Sequence, residues 1–529
     1  MATWWQRGLV YQIYPRSFAD SNGDGIGDLA GIRDKLPYLR WLGIDAIWIS
    51  PVYPSPMADH GYDVADYTDI HPIFGDLAEM DALIAAAHEL GIRIILDFVP
   101  NHTSNQHPWF VESRSSKDNP KRDWYLWADA KADGSPPNNW LSVFGGPGWT
   151  WDERTSQYYC HAFLEEQPDL NWRNPSVRRA MYDAMRFWLE RGVDGFRVDV
   201  LWHLIKDASL RDNPQNPTYT PKETPYNSLL PVYSTDQPEV HEIVREMREL
   251  LDGYEERVLI GEVYLPIHRL VAYYGTAQNG AHLPFNFLLI ALPWNAQQIA
   301  AAIGEYEGAL PNDAWPNWVL GNHDQPRIAS RVGLAQARVA AMLLLTLRGT
   351  PTLYYGDEIG MRDGIIPPEE AQDPQGKNVG LSRDPQRTPM QWSPAPGGGF
   401  STGAPWLPLS LEHARCNVEL QREDRQSMLG LYRRLIELRR SSPALSLGSY
   451  TPVAGEGDLL SYLRSGDGQT FMIILNLGHA PRLVEMAGRS GKVVLATDAE
   501  REGEPITARV ALLGDDGLVI LLDEVEPTR

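Results

Sequence analysis

Two ionisable residues interrupt an otherwise apolar run at 195–200, GFRVDV. Strand residues two apart point to the same side, so Arg197 and Asp199 share one face at the end of a buried strand. Charge in such a place is costly unless compensated. It reads either as a self-satisfied structural ion pair or as part of an active site. Three more strand-like segments end in reactive groups. RIILDFVP ends beyond Asp97 and leads into Asn101–His102, VLIGEVY carries Glu262, and NWVLGNHD ends in His323–Asp324. Three carboxylates from separate strands, Asp199, Glu262 and Asp324, suit two chemistries. Divalent-metal hydrolysis would use His102, His323 and the acids as ligands. The chain has no HxH or HExxH motif, however, and Arg197 would repel a cation beside Asp199. Glycoside hydrolysis needs one ionised carboxylate and one protonated carboxyl. Arg197 would favour the charged form of Asp199. Glu262, beside Val263 and Tyr264, would keep its proton through desolvation and neighbouring negative charge. Glycoside hydrolysis is the stronger fit.

Bringing these groups to one rim is a task for the fold. Strand-like runs at 10–15, 46–51, 93–100, 195–200, 258–264, 317–324 and 350–358, with a weaker one at 283–290, alternate with helical patterns such as 76–91 and 174–192. The class is α/β. Eight buried parallel strands predict a (β/α)8 TIM barrel, in which reactive groups gather where strands end. A doubly wound open sheet is the alternative, and the count of eight favours the barrel. The barrel would occupy 1–100 and 171–446. Residues 101–170, rich in Pro, Asn, Asp, Trp and Gly, predict an inserted small domain after the third strand. The long Pro-rich segments 201–240 and 360–425 predict loops on the active-site face. From 447 to 529 the pattern becomes short alternating strands, which predicts a C-terminal antiparallel β domain.

Composition narrows the partners. A net charge of −22 and a pI near 5.0 argue against nucleic acid or an anionic membrane. A neutral ligand needs no charge steering. The chain carries 18 Trp and 23 Tyr, flat rings with polar tips that suit sugar faces. Only Cys160 and Cys416 are present, far apart, so no disulfide framework or zinc spacing follows. The N-terminal segment has neither a secretory pattern nor a membrane-spanning run, and the expected location is cytoplasmic.

In order along the barrel stand GIDAIWISP (43–51), DFVPNH (97–102), QPDLN (167–171), GFRVDV (195–200), GEVY (261–264), GNHD (321–324) and GTPTLYYGDEIG (349–360). With these segments the chain resembles the α-amylase superfamily, glycoside hydrolase family 13. The resemblance implies a retaining mechanism. Asp199 would be the nucleophile that forms a β-glucosyl-enzyme intermediate, Glu262 the acid/base, and Asp324 the stabiliser of the distorted sugar. Arg197 would orient Asp199, and His102 and His323 would hydrogen-bond the same sugar. QPDLN further resembles the α-glucosidase and oligo-1,6-glucosidase branch. There an Asp–x–Gly–Tyr stretch, here Asp59-His60-Gly61-Tyr62, closes the non-reducing end of the site. By that resemblance Asp59 would bind the terminal glucose and pair with Arg387 of RTPMQW, and Tyr62 would stack on the ring. Phe144, Phe163 and Gln167 would line the pocket. A closed pocket implies exo action on short oligosaccharides.

A second constellation is DSNGDGIGD at 20–28. Asp20, Asn22, Asp24 and Asp28 offer oxygens at alternating positions, Gly25 allows a sharp turn, and the Ile26 carbonyl lies between. The pattern resembles an EF-hand-like loop, although its twelfth position is Gly31 rather than Glu. The family branch has a similar loop that binds Ca²⁺ or Mg²⁺ structurally, and no organic cofactor is expected. Val200, after the nucleophile, resembles the α-1,6-active members, but one methyl-scale contact is worth only about 1–3 kcal/mol, so linkage stays open. The stretch that follows, with His203, is expected to shape the aglycone side. A transglucosidase or sucrose-active enzyme on the same site is the nearest alternative. A non-catalytic binding or transporter-associated relative is a remote one, since all three acids are kept.

Overall fold

Alternation along the barrel strands decides which side chains face the axis. The computed structural model describes residues 2–523. Its eight parallel barrel strands are β1 Val10–Ile13, β2 Ala46–Ile49, β3 Arg93–Phe98, β4 Gly195–Val198, β5 Val258–Gly261, β6 Leu283–Pro284, β7 Asn317–Val319 and β8 Thr350–Tyr354. Hydrogen bonds link them in the order β7–β8–β1–β2–β3–β4–β5–β6. Every sequential pair except β6 and β7 is hydrogen-bonded, and β8 pairs with β1, which is a nearly closed barrel and not a doubly wound sheet. Val10, Ala46, Trp48, Ile95, Val258, Ile260 and Leu283 meet inside. Their neighbours Tyr11, Ile47, Ile49, Ile94, Leu96, Phe196, Val198 and Leu259 point outward under the helices. Asp97 and Arg197 are direct partners across β3 and β4, so the inner layer near the strand ends is charged where lower layers are apolar.

β6 is shorter than its sequence suggests. Pro284 has no N–H to continue the ladder, and Leu288–Ala291 winds into a helical turn instead. The helices between strands begin on side-chain caps. Asp76 accepts the Glu79 N–H at 2.9 Å to start Leu77–Glu89. Asn174 accepts the Ser176 N–H at 2.9 Å to start Pro175–Glu190, with proline at the first helical position. The second helix buries Val177, Met181, Ala184, Met185, Trp188 and Leu189, the stripe expected of a helix on a sheet.

Between β3 and β4 the chain builds the helix Pro108–Ser113 and a three-stranded antiparallel sheet of Trp127–Ala128, Gln157–Cys160 and Trp149–Asp152. The ends of this excursion are tied together, the Leu170 N–H donating to the Asn101 carbonyl at 2.9 Å. A six-stranded antiparallel sheet begins at Ser449–Glu456 and includes Gly517–Leu522. Among the described residues one helix, Ile328–Thr346, is long and apolar enough to cross a membrane. Its apolarity is used internally, because it packs against helix Met428–Ser441 and strand Gln469–Asn476. Thr346 Oγ1 lies 2.6 Å from the hydroxyl of Tyr462 on the adjoining strand Leu459–Gly466.

Candidate active site

The charged inner layer centres on Arg197. Its Nη1 donates to both Asp97 oxygens at 3.0 and 3.1 Å and to Asp199 Oδ1 at 2.8 Å. Its Nη2 lies 2.6 Å from Glu262 Oε2, an ion-pair contact rather than an aligned hydrogen bond. The guanidinium also sits 4.8 Å from the centre of the Trp48 ring, whose Nε1 donates to Asp97 at 3.1 Å. One buried cation therefore serves three carboxylates from β3, the end of β4 and the end of β5.

Arg197 does favour the charged form of Asp199, but it shares that charge with Asp97 and Glu262. Burial, then the Glu262 charge, pushes the Asp199 carboxyl well up, against the pull of Arg197. Burial also pushes Glu262 up, with Arg197 opposing and Asp324 assisting. Two carboxyls held around one arginine favour a state in which the pair keeps a proton. A glycosidase needs such a state: one acid protonated, one ionised. Asp324 behaves differently. Burial pushes its carboxyl up, but the positive charges of Arg383 and Arg387 draw it well below the ordinary range. It stays ionised.

Val200 links the two coupled acids. It adopts a left-handed conformation, φ 37° and ψ 47°, which is strained for a β-branched residue. The turn aims its N–H at Glu262 Oε2, 2.8 Å away. The residue after Asp199 thus holds Glu262 in place through its backbone.

His323 is fixed in one tautomer. Gln12 Nε2 donates to its Nδ1 at 2.8 Å, and its Nε2 donates to the Tyr62 hydroxyl at 2.7 Å, which donates on to Asp97 Oδ2 at 3.0 Å. Burial pushes the imidazole well below its usual range, so it is neutral. Tyr62, expected to stack on sugar, stacks on His323 with ring centres 5.3 Å apart and planes 4° from parallel. His102 donates from Nε2 to the Tyr62 carbonyl at 3.0 Å and accepts at Nδ1 from Asn101 at 3.1 Å. Burial pushes it down to about 4.

A cavity of about 340 Å³ opens over these groups. Asp59, Tyr62, His102, Phe144, Phe163, Asp199, Val200, Glu262, His323 and Asp324 all border it. Gln167, Arg197 and Arg387 stand behind the wall. Gln167 Nε2 reaches Asp59 Oδ2 at 3.4 Å, and Arg387 Nη2 donates to Asp324 Oδ1 at 2.8 Å. The expected Asp59–Arg387 pair is corrected. Asp59 pairs with Arg383, whose Nη2 donates to Asp59 Oδ1 at 2.7 Å. Arg383 precedes the 3₁₀ turn Asp384–Arg387 and Arg387 ends it, which sends one to Asp59 and the other to Asp324. Burial pushes Asp59 up to about 6 against the pull of Arg383 and Arg387. Arg383 also lies 4.8 Å over the Phe144 ring. Sequence reasoning missed Arg383, although it lies only four residues before the motif arginine. It also missed Trp202, Tyr226, Gln325 and Gln375 on the cavity wall; aromatic and amide side chains in long loops carry no periodic signal.

The 20–28 loop is folded as a run of side-chain-capped turns. Asp20 accepts from the Gly23 and Gly25 N–H groups, Asn22 from Asp24, and Asp24 from Ile26, at 2.7–2.9 Å. Asp28 instead caps helix Leu29–Leu42 through Gly31 N–H at 2.6 Å. Gly25, at φ 89°, admits no side chain, since a Cβ would lie 1.9 Å from the Ala404 carbonyl oxygen. Among the described residues no three His, Cys, Asp or Glu side chains group as a metal site. An ion would need the Asn22 amide oxygen and the Ile26 carbonyl as well. Those hard oxygens suit Ca²⁺ or Mg²⁺.

A family model described as the alpha amylase catalytic domain matches residues 12–448, and one described as a domain of unknown function (DUF3459) matches 446–520. The chain is 44% identical to a probable alpha-glucosidase of Rhizobium meliloti (strain 1021), over 90% of this chain and 89% of that one. It is 38% identical to an oligo-1,6-glucosidase of Parageobacillus thermoglucosidasius, over 89% and 90%. Among solved structures it is similar to the alpha-glucosyl transfer enzyme XgtA, with a TM-score of 0.93, 40% identity, and coverage of 98% of this chain and 100% of that one.

Proposed function

The chain belongs to the α-amylase catalytic-domain family of glycoside hydrolases, and on that premise we propose that it is an exo-acting, retaining α-glucosidase. It releases glucose from the non-reducing end of short α-glucosides. One observation carries the reading: Asp199 and Glu262 share Arg197 at the floor of a cavity whose wall holds the Asp59–Arg383 pair. Ionised Asp199 attacks C1 of the terminal glucose while Glu262 gives its proton to the glycosidic oxygen, so the C1–O bond to the aglycone breaks and an ester to Asp199 forms. Glu262 then takes a proton from water, the oxygen attacks C1, and Asp199 leaves. Asp324, ionised between two arginines, binds sugar hydroxyls. Product analysis on maltose, isomaltose, sucrose and trehalose with anomeric detection tests the reading. The first-formed glucose is expected to be the α-anomer, from short substrates only. A β-anomer, or internal cleavage of starch as fast as glucose release, would overturn it.

The likeness to an alpha-glucosyl transfer enzyme supports a second outcome on the same site. A sugar hydroxyl replaces water as acceptor, and the same analysis reads it as new disaccharide. Val200 points toward α-1,6 linkages by resemblance, and the isomaltose-to-maltose ratio measures how far.

The 20–28 loop supports a structural Ca²⁺ or Mg²⁺ site, with Asp20, Asn22, Asp24, Asp28 and the Ile26 carbonyl as ligands. The ion would supply fixed positive charge beside the segment that carries Ala404. Chelation is expected to lower the melting temperature, and Ca²⁺ or Mg²⁺ to restore it, by about 2–3 kcal/mol at a hundredfold excess over Kd. A melting curve indifferent to both treatments would remove the site.

A further inference from the structure

Arg383 reaches its two cavity partners from an anchored position. Its Nη2 donates to Asp59 Oδ1 at 2.7 Å and its Nη1 approaches Asp324 Oδ1 at 3.4 Å. The Nε–Nη2 edge of the same guanidinium is held by Asp373, so Nη2 bridges Asp373 and Asp59. Nε lies 3.1 and 3.2 Å from the two Asp373 oxygens, and Nη2 donates to Oδ1 at 2.6 Å. The Arg383 backbone N–H donates to Asp373 Oδ2 at 2.6 Å. The grip is reciprocal, because Asp384 accepts the Gln372 and Asp373 N–H groups at 2.7 and 3.0 Å. Residues 372–384 are thereby clasped into a closed strap. Asp373 is buried and does not border the cavity.

We propose that Asp373 is a positioning residue: it fixes the Arg383 fork so that the arginine closes the glycone end against Asp59 instead of turning fully onto Asp324. The reasoning is one of competition. Asp324 already holds Arg387 at 2.8 Å, and a free Arg383 would divide its time between two carboxylates on either side. A planar guanidinium gripped along one edge can offer its remaining donors in one direction only. The rotamer freedom that substrate binding would otherwise have to remove is already spent. Nothing in the sequence marks Asp373 as more than one acid in a polar loop. Its function is visible only through the arginine it holds.

The proposal rests on the exo-glucosidase reading, and a double-mutant cycle separates the two. Asp373→Asn is expected to raise KM for maltose or isomaltose roughly tenfold, the scale of one charge-assisted hydrogen bond, with kcat changed less than about threefold. In an Arg383→Met background the same substitution is expected to move KM by less than about twofold, because its only route to the substrate is gone. An unmoved KM in the first case, or an equal rise in both, would overturn the proposal. Should Asp373→Asn fail to fold, Asp373→Glu keeps the charge, lengthens the reach by one methylene, and is read through the same cycle. Wild-type turnover is the control: its absence counts against the glucosidase reading, whereas normal wild-type turnover with an additive cycle counts only against Asp373.

Discussion

Replacing Asp199 with alanine is expected to lower glucose release from maltose by about 10⁴-fold or more, with the fold intact. The substitution removes the atom that bonds to C1 and relieves a crowded carboxylate layer, so stability should not fall with activity. Glu262→Gln is expected to behave differently. It removes the proton that a poor leaving group needs, so turnover of maltose should collapse while an aryl glucoside with an acidic leaving group is partly spared. Azide distinguishes the roles further. In Asp199→Ala it would attack C1 of the α-substrate directly and give β-glucosyl azide. In Glu262→Ala it would attack the β-glucosyl ester on Asp199 and give α-glucosyl azide. The opposite pairing of products would exchange the roles of the two acids, and full activity in Asp199→Ala would end the mechanism. The coupled titration bears on this test as well. The Glu262 charge raises the proton affinity of Asp199, so Glu262→Gln should shift the acid limb of the surviving aryl-glucoside profile, which follows ionisation of Asp199, to lower pH.

Much of this site can be read from the chain because barrel strands are short and their ends are reactive. GFRVDV, GEVY and GNHD each place one acid one to five residues beyond a strand, and the ring order of the strands does the rest. The eight strands are legible for the same reason, each being a brief apolar run bounded by turn residues. What fails to show in sequence is whatever depends on backbone outside the strands. Val200 belongs to a residue type that avoids left-handed conformations, so no propensity announces the turn that aims its N–H at Glu262. Arg383 and Arg387 look equivalent in SRDPQR, and only the 3₁₀ turn between them decides which reaches Asp59. Spacing places Arg197 and Asp199 on one face correctly. It cannot reveal that Asp97 and Glu262 claim the same guanidinium, because those contacts cross between strands.

That crossing sets the second large expectation. Arg197→Met is isosteric enough to fill the barrel floor but leaves Asp97, Asp199 and Glu262 without their common counter-charge. Breaking a buried ion pair by removing one partner costs about 3–5 kcal/mol, and here one partner serves three. Melting temperature should fall and glucose release should be lost together. The pH dependence gives the sign. All three carboxyls already sit above their ordinary range because of burial, with Arg197 opposing each. Without Arg197 they rise further. A group whose folded-state pKa is raised keeps the folded state stable while it stays protonated, and that stability is lost as pH rises through the folded value. The melting deficit of Arg197→Met should therefore be small near pH 4–5 and grow toward pH 7.5. Adding Asp97→Asn, which removes the carboxylate furthest from the chemistry, should recover part of the deficit at pH 7.5 and little at pH 4.5. Equal deficits at both pH values would mean that Arg197 matters to the barrel as packing against Trp48 and not as the charge around which the three acids are arranged.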